Sequence, residues 1–135
     1  MLLKKNLRLE ILYYRALLKA TKTMLESVMA DDDLRLAQWA ERRGRVIGKI
    51  QRVESHLSQI LRKPYPDLLR HTSDSPLKEH RETLSLMFIE QLELDKEVEN
   101  RLKTKKASVQ EDLARVRSRR NRPQGSYAIP ARRGV

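Results

Sequence analysis

Cysteine is absent from the 135 residues, which excludes a disulfide scaffold, thiolate metal sites and cysteine catalysis together and points to a cytosolic chain. Glycine occurs four times and proline five, too few turn formers for a sandwich or a glycine-punctuated α/β fold. Aromatic residues are only 4% of the chain. Long hydrophobic runs are lacking too: Leu86-Met87-Phe88-Ile89 falls far short of the ~18 to 20 apolar residues of a membrane span. The start, Met1-Leu2-Leu3-Lys4-Lys5, puts charge where a secretory leader needs its apolar stretch, so no such leader is expected. Residues 1–9 contain no acid, as in a mitochondrial presequence, but they run straight into a helical pattern.

What the chain does have is positive charge, Lys+Arg 29 against Asp+Glu 18, and its distribution is uneven. Residues 1–76 carry 15 basic and 9 acidic side chains, residues 77–100 carry 3 and 7, and residues 101–135 carry 11 and 2. The first hundred residues are therefore close to balanced, and an electrostatic partner is expected to meet the last 35.

Hydrophobic periodicity predicts three long helices. From about residue 2 to 30, Leu3, Leu7, Ile11, Tyr14, Leu18, Leu25 and Val28 step by threes and fours, with Thr21 filling the one gap. Leu2, Leu9, Leu12 and Ala16 widen this stripe, as when one helix touches two neighbours. Asp31, Asp32 and Asp33 offer three N-caps for a second helix over about 33–61. Its seam is Leu36, Trp39, Val46, Ile50, Val53, Leu57 and Ile60, with Arg43 as the polar intruder and Trp39 as the expected core anchor. Gly44 and Gly48 sit in mid-helix, which suggests close approach by a neighbour, since each costs about 1 kcal/mol relative to Ala. Pro64 and Pro66 end this helix and a loop follows to about Ser75.

Ser75-Pro76 reads as an N-cap and a first-turn proline, opening a third helix over about 76–121. Its seam is Leu77, Leu84, Phe88, Leu92, Val98, Leu102, Val109, Leu113 and Val116, interrupted by Gln91 and Asp95. Beyond Pro123 there is no periodicity, and 123–135 reads as a disordered basic tail with one aromatic, Tyr127. The expected fold is all-α: an antiparallel three-helix bundle or coiled-coil hairpin over 1–122 whose third helix either runs on or breaks into a fourth segment. Two 29-residue helices are ~43 Å long, whereas 45 residues span ~68 Å. About 24 Å of the third helix, from near Thr104, is thus left without a hairpin partner if it stays straight. Leu102, Val109, Leu113 and Val116 lie along this part and are the candidate protein-binding residues.

Chemistry is sparse. His56, His71 and His80 form no pair at metal-ligand spacing and read as surface residues. His71, Ser73 and Asp74 are hydrolase residue types, but within four residues of one loop they cannot build a triad. Glu90, Glu93 and Glu97 share a solvated face, and no glycine-rich phosphate loop exists. No catalytic residue, metal or cofactor is expected. The run from Arg115 to Arg122 either complements the negative end of its helix, contacts phosphates or meets an acidic protein surface. Without interleaved aromatics, nucleic acid is not the favoured partner.

Ala30-Asp31-Asp32-Asp33-Leu34 before the second helix, and Leu94-Asp95-Lys96-Glu97-Val98-Glu99 in a long last helix that runs into arginines and then a tyrosine, resemble the flagellar type III export chaperones, FliT-like proteins above all. FlgN-like chaperones share the architecture and often end in a flexible tail with a tyrosine near glycine, as in Gly125-Ser126-Tyr127. The resemblance implies a cytoplasmic protein that holds a late flagellar substrate before export. The substrate is the filament cap protein for FliT-like members and the hook-filament junction proteins for FlgN-like ones. It also implies contact with the export apparatus and, in some members, with a transcriptional activator. Val109, Leu113 and Val116 map onto the family's carboxy-terminal helical part, which takes part in binding. Tyr127 maps onto the tyrosine that contacts the export gate, with Arg119 and Arg120 beside it. The tail from Ala128 to Val135 is longer and more basic than in FliT-like proteins, so both subclasses stay open. The alternative from the residues alone is a basic coiled-coil nucleic-acid-binding or structural protein, monomeric or dimeric through the end of the third helix.

Overall fold

The computed structural model describes residues 2–71 and 75–120, with the side chains of His71, Ser75, Pro76 and Arg120 left aside. Four helices make up the described chain: α1 (Leu2–Met29), α2 (Asp33–Leu61), α3 (Tyr65–His71) and α4 (Ser75–Arg120). No strand occurs among the described residues. The protein is all-α, as the periodicity predicts. It divides into two compact units, Met1–Glu99 and Asn100–Val135.

The turn between α1 and α2 uses two of the three aspartates differently. Asp31 takes the left-handed conformation at φ 55°. The amides of Asp31 and Asp32 donate back to Val28 O (3.1 Å) and Ser27 O (2.9 Å), closing α1 with a Schellman pattern. Asp32 is the N-cap of α2, its carboxylate accepting from the Arg35 amide at 3.0 Å. Arg62, at φ 57°, closes α2 in the same way, its amide and that of Lys63 donating to Gln59 O and Ser58 O.

The expected loop after α2 contains a helix instead. Pro66 lies in the first turn of α3, where a missing N–H leaves nothing unsatisfied. Tyr65 is fully buried, and its amide is taken by Ser58 Oγ at 3.0 Å. Tertiary burial of one ring thus overrides the helix-breaking signal of two prolines. The fourth helical segment therefore precedes the long helix, and α4 itself runs unbroken from Ser75 to Arg120.

In the first unit α1 and α2 are antiparallel, since Tyr14 meets Glu54 and Thr21 meets Arg43. α4 runs parallel to α1 at a fixed offset of 70 residues, ten heptads: Glu10 meets His80 and Thr21 meets Gln91. The core cluster at the α3 end is Leu7, Val53, Leu57, Tyr65 and Leu77. Further along, Leu17, Leu18, Ala20, Val28, Ile50, Leu84 and Val98 are buried. Val98 is the last buried side chain of α4, seventy residues on from Val28, one residue before α1 ends. Every described side chain of 100–119 is exposed except Lys105, which is half-buried.

α2 departs from its expected seam. Only Ile50, Val53 and Leu57 are buried, while Leu36, Trp39, Val46 and Ile60 are half-buried. Trp39 is not a core anchor; the Arg42 guanidinium lies 4.5 Å from its ring centroid. The glycines have no neighbour to admit. A Cβ at Gly44 would meet nothing within 4 Å, and one at Gly48 would meet only the tip of Arg52 at 3.9 Å. Gly44→Ala is therefore expected to stabilise the fold by about 0.5 to 1 kcal/mol through helix propensity. Urea unfolding checks this, and an unchanged or lowered midpoint would refute it.

Candidate functional site

Two places hold functional potential: an enclosed polar cluster in the first unit and an exposed apolar stripe in the second. The cluster is built from one residue or two of each helix. Glu10 of α1 is fully buried. Its Oε1 accepts from the Tyr65 hydroxyl of α3 at 2.6 Å and lies 2.5 Å from His80 Nε2 of α4. Tyr14 of α1 donates to Glu54 Oε2 of α2 at 3.0 Å and meets the Phe88 ring edge-on, with centroids 5.1 Å apart. Glu10 Oε2 is buried and accepts from no hydroxyl, amide or ring N–H among the described residues, so the one group left to donate to it is the protonated Glu54 carboxyl.

The environment moves the titrating groups in one consistent way. Burial pushes the Glu54 carboxyl up to about 8, reinforced by the hydrogen bond and negative charge of Glu10. Glu54 is therefore neutral at pH 7, which avoids setting two buried negative charges side by side. Burial first, and Glu54 second, raise the Tyr14 hydroxyl; burial and then Glu10 raise that of Tyr65. Burial lowers His80 below its usual value, against the pull of Glu54. Neutral His80 donates from Nε2 to Glu10.

One side of the cluster borders a cleft of about 480 Å3 whose wall includes Tyr14, Glu54, Tyr65, Arg70, Leu84 and Phe88. Glu10 and His80 do not reach it: their side chains are 0% and 7% exposed. Among the described residues no group of three or more His, Cys, Asp or Glu could hold a metal ion. The cluster clasps four helices, and His80 is a core residue, contrary to the surface position expected for it. Its spacing carried the signal, three residues after Leu77 and four before Leu84 on the core face. Glu10 likewise stands seven residues from both Leu3 and Leu17.

A second polar layer collects every interruption of the three seams. Thr21 Oγ1 accepts from Arg43 Nε (3.3 Å) and Gln91 Nε2 (2.8 Å), and Asp95 Oδ1 accepts from Arg43 (3.1 Å) and Gln91 (3.0 Å). Residues that look like separate flaws in sequence are partners in the fold.

In the second unit Leu102, Val109, Leu113 and Val116 are 38%, 49%, 49% and 54% exposed. The structure brings them together as one stripe on one helix, as their spacing predicts. Asp112 pairs with Arg115 beside it. Arg119 is exposed. The Arg120 side chain and Tyr127 lie outside the described residues, as do Ser73, Asp74 and the expected tail from 123.

The chain matches no protein-family model, no curated protein and no solved structure. No helix among the described residues is long and apolar enough to cross a membrane.

The clasp predicts a pH dependence of stability. Folded Glu54 keeps its proton to about pH 8, whereas the unfolded side chain loses it near 4.5. Between these values the folded state holds the extra proton, so stability falls as pH rises and levels off above about 8. His80 acts oppositely, but only below its ordinary value of 6.5. The melting temperature is therefore expected to fall from pH 6.5 to 8.5. Glu54→Gln, which keeps a donor for Glu10 and an acceptor for Tyr14 and has no proton to lose in the unfolded chain, should abolish the fall and melt above the wild type at pH 6.5, by a margin that grows up to about pH 8. A wild-type curve flat over this range would exclude the account.

Proposed function

We propose that the chain acts by binding rather than catalysis, as a cytoplasmic flagellar export chaperone of the FliT-like or FlgN-like kind. The observation that carries this is the stripe Leu102, Val109, Leu113 and Val116, four aliphatic side chains held in helical register and exposed over 38% to 54% of their surface. The resemblance of the Asp31–Leu34 and Leu94–Glu99 segments to these chaperones supports it. The cargo is a late flagellar substrate, a filament cap or hook-filament junction protein, bound before export so that it does not assemble early. An amphipathic segment of the cargo lays its apolar face along the stripe, a helix-to-helix mode with anchors at the spacing of this helix.

Magnitude sets a limit on this contact. Fully burying one aliphatic side chain is worth about 1.5 to 3 kcal/mol, and these four are already partly covered. The stripe therefore supplies on the order of 4 to 5 kcal/mol before ordering costs, which alone corresponds to about millimolar affinity. Flanking contacts must add to it. In this proposal Tyr127, with Arg119 and Arg120, serves the separate task of docking on an export component, and a transcriptional activator is a further partner in some members of the group.

The test is a nuclease-treated pull-down from a flagellated bacterium at physiological salt, followed by affinity measurement on the recovered flagellar protein. Val109→Asp with Leu113→Asp should weaken that complex about tenfold or more, because two desolvated carboxylates would have to be buried. The melting temperature should stay within about 1 °C of the wild type, since both residues are exposed. Recovery of the cargo by the double variant at wild-type affinity would overturn the assignment. Capture that survives only with nucleic acid intact, and falls steeply with log salt, would favour the basic coiled-coil alternative.

A further inference from the structure

Composition by segment directs an electrostatic partner to the carboxy-terminal residues, but folding changes the count on α1. The single acid among residues 1–25 is Glu10, and it is fully buried, facing His80 and Tyr65. The cations are all outside. Lys4, Lys5, Arg8, Arg15, Lys19 and Lys22 are exposed; Lys22 pairs with Glu90 at 3.1 Å, and the other five have no ion-pair partner among the described residues. Lys5, Arg8, Leu12, Arg15 and Lys19 follow one another by three, four, three and four residues, so they form one straight stripe of about 21 Å on the side of α1 away from the core. Leu12, at its centre, is 55% exposed, and Leu2 at its amino end is 63% exposed.

We infer that this outward face of α1 docks on an anionic phospholipid surface, lying along it without crossing it. Charge complementarity requires an anionic occupant, and the shape of the stripe selects among them. A plane meets all four cations of this straight stripe at once, each adding roughly fivefold to the affinity. A duplex curves away from such a face and offers no apolar place for Leu12, whereas the acyl boundary of a bilayer does. Single-stranded nucleic acid would want aromatic platforms on this face. Neither tyrosine of α1 supplies one: Tyr14 turns inward to Glu54 and Phe88, and Tyr13 is half-buried beside Lys49. This surface is separate from the Leu102–Val116 stripe and does not depend on its cargo.

The full chain should co-sediment with phosphatidylcholine vesicles containing about a quarter phosphatidylglycerol, about tenfold or more tighter than with phosphatidylcholine alone, and less as salt rises. Lys5→Glu, Arg8→Glu and Arg15→Glu together should reduce this binding at least about tenfold. The melting temperature is the folding control, and the neutral triple K5Q/R8Q/R15Q takes the place of the reversal if that control fails. Leu12→Gln should lower affinity about threefold at constant charge. Replacing Arg115, Arg117, Arg119 and Arg120 with Gln should leave vesicle binding within about twofold. The inference is overturned if neutral vesicles bind equally, if the α1 triple or Leu12→Gln binds like the wild type, if the carboxy-terminal variant loses the binding instead, or if duplex DNA binds as tightly with the same dependence on α1.

Discussion

Everything in the first unit is tied to one carboxyl group with no access to water. Glu10 receives the hydroxyl of Tyr65 and the ring nitrogen of His80, and from across the hairpin it helps burial to raise the pKa of Glu54. Those three residues belong to the other three helices, so no helix can shift along another by one turn without stranding a buried polar group. A hydrophobic seam alone tolerates such slips, because leucines at one level resemble leucines at the next. An interior carboxyl does not, since an unpaired one costs several kcal/mol. The clasp therefore specifies register more than it adds stability, and the layer of Thr21, Arg43, Gln91 and Asp95 repeats the device about three turns along α1.

The same two layers explain why α4 keeps a constant offset of ten heptads from α1. Hydrophobic pairs follow suit, with Leu7 and Leu77 in one cluster at the same spacing. Once register is fixed, α1 runs out just beyond Val28, and burial along α4 stops at Val98. In the second unit Leu102, Val109, Leu113 and Val116 stay exposed.

The all-α class, the three long helices and most of their boundaries were legible because the apolar spacing and the aspartate and proline punctuation agree. Three things were not. α3 was hidden by Pro64 and Pro66, because the burial that holds Tyr65 is a contact with Glu10, 55 residues away. The polar residues in the seams could be seen as exceptions but not as each other's partners, since pairing them needs the register they themselves create. The cationic face of α1 was masked by simple counting, which gives a buried acid and an exposed one the same weight. The stripe Leu102, Val109, Leu113 and Val116 was legible from spacing alone. Gly44 and Gly48 misled in the other direction, suggesting close approach by another helix where one faces open space and the other only the tip of Arg52 from its own helix.

The single tryptophan of the chain sits half-buried under the Arg42 guanidinium, in the half of α2 that contributes no fully buried residue. It is far in sequence from the clasp residue Glu54 and from Leu57, the fully buried heart of the core cluster. Its fluorescence therefore reports the opening of the Asp31 turn end of the hairpin, while helical circular dichroism reports the whole. Where the two signals part company during unfolding, the difference separates the turn end from the Glu10 end.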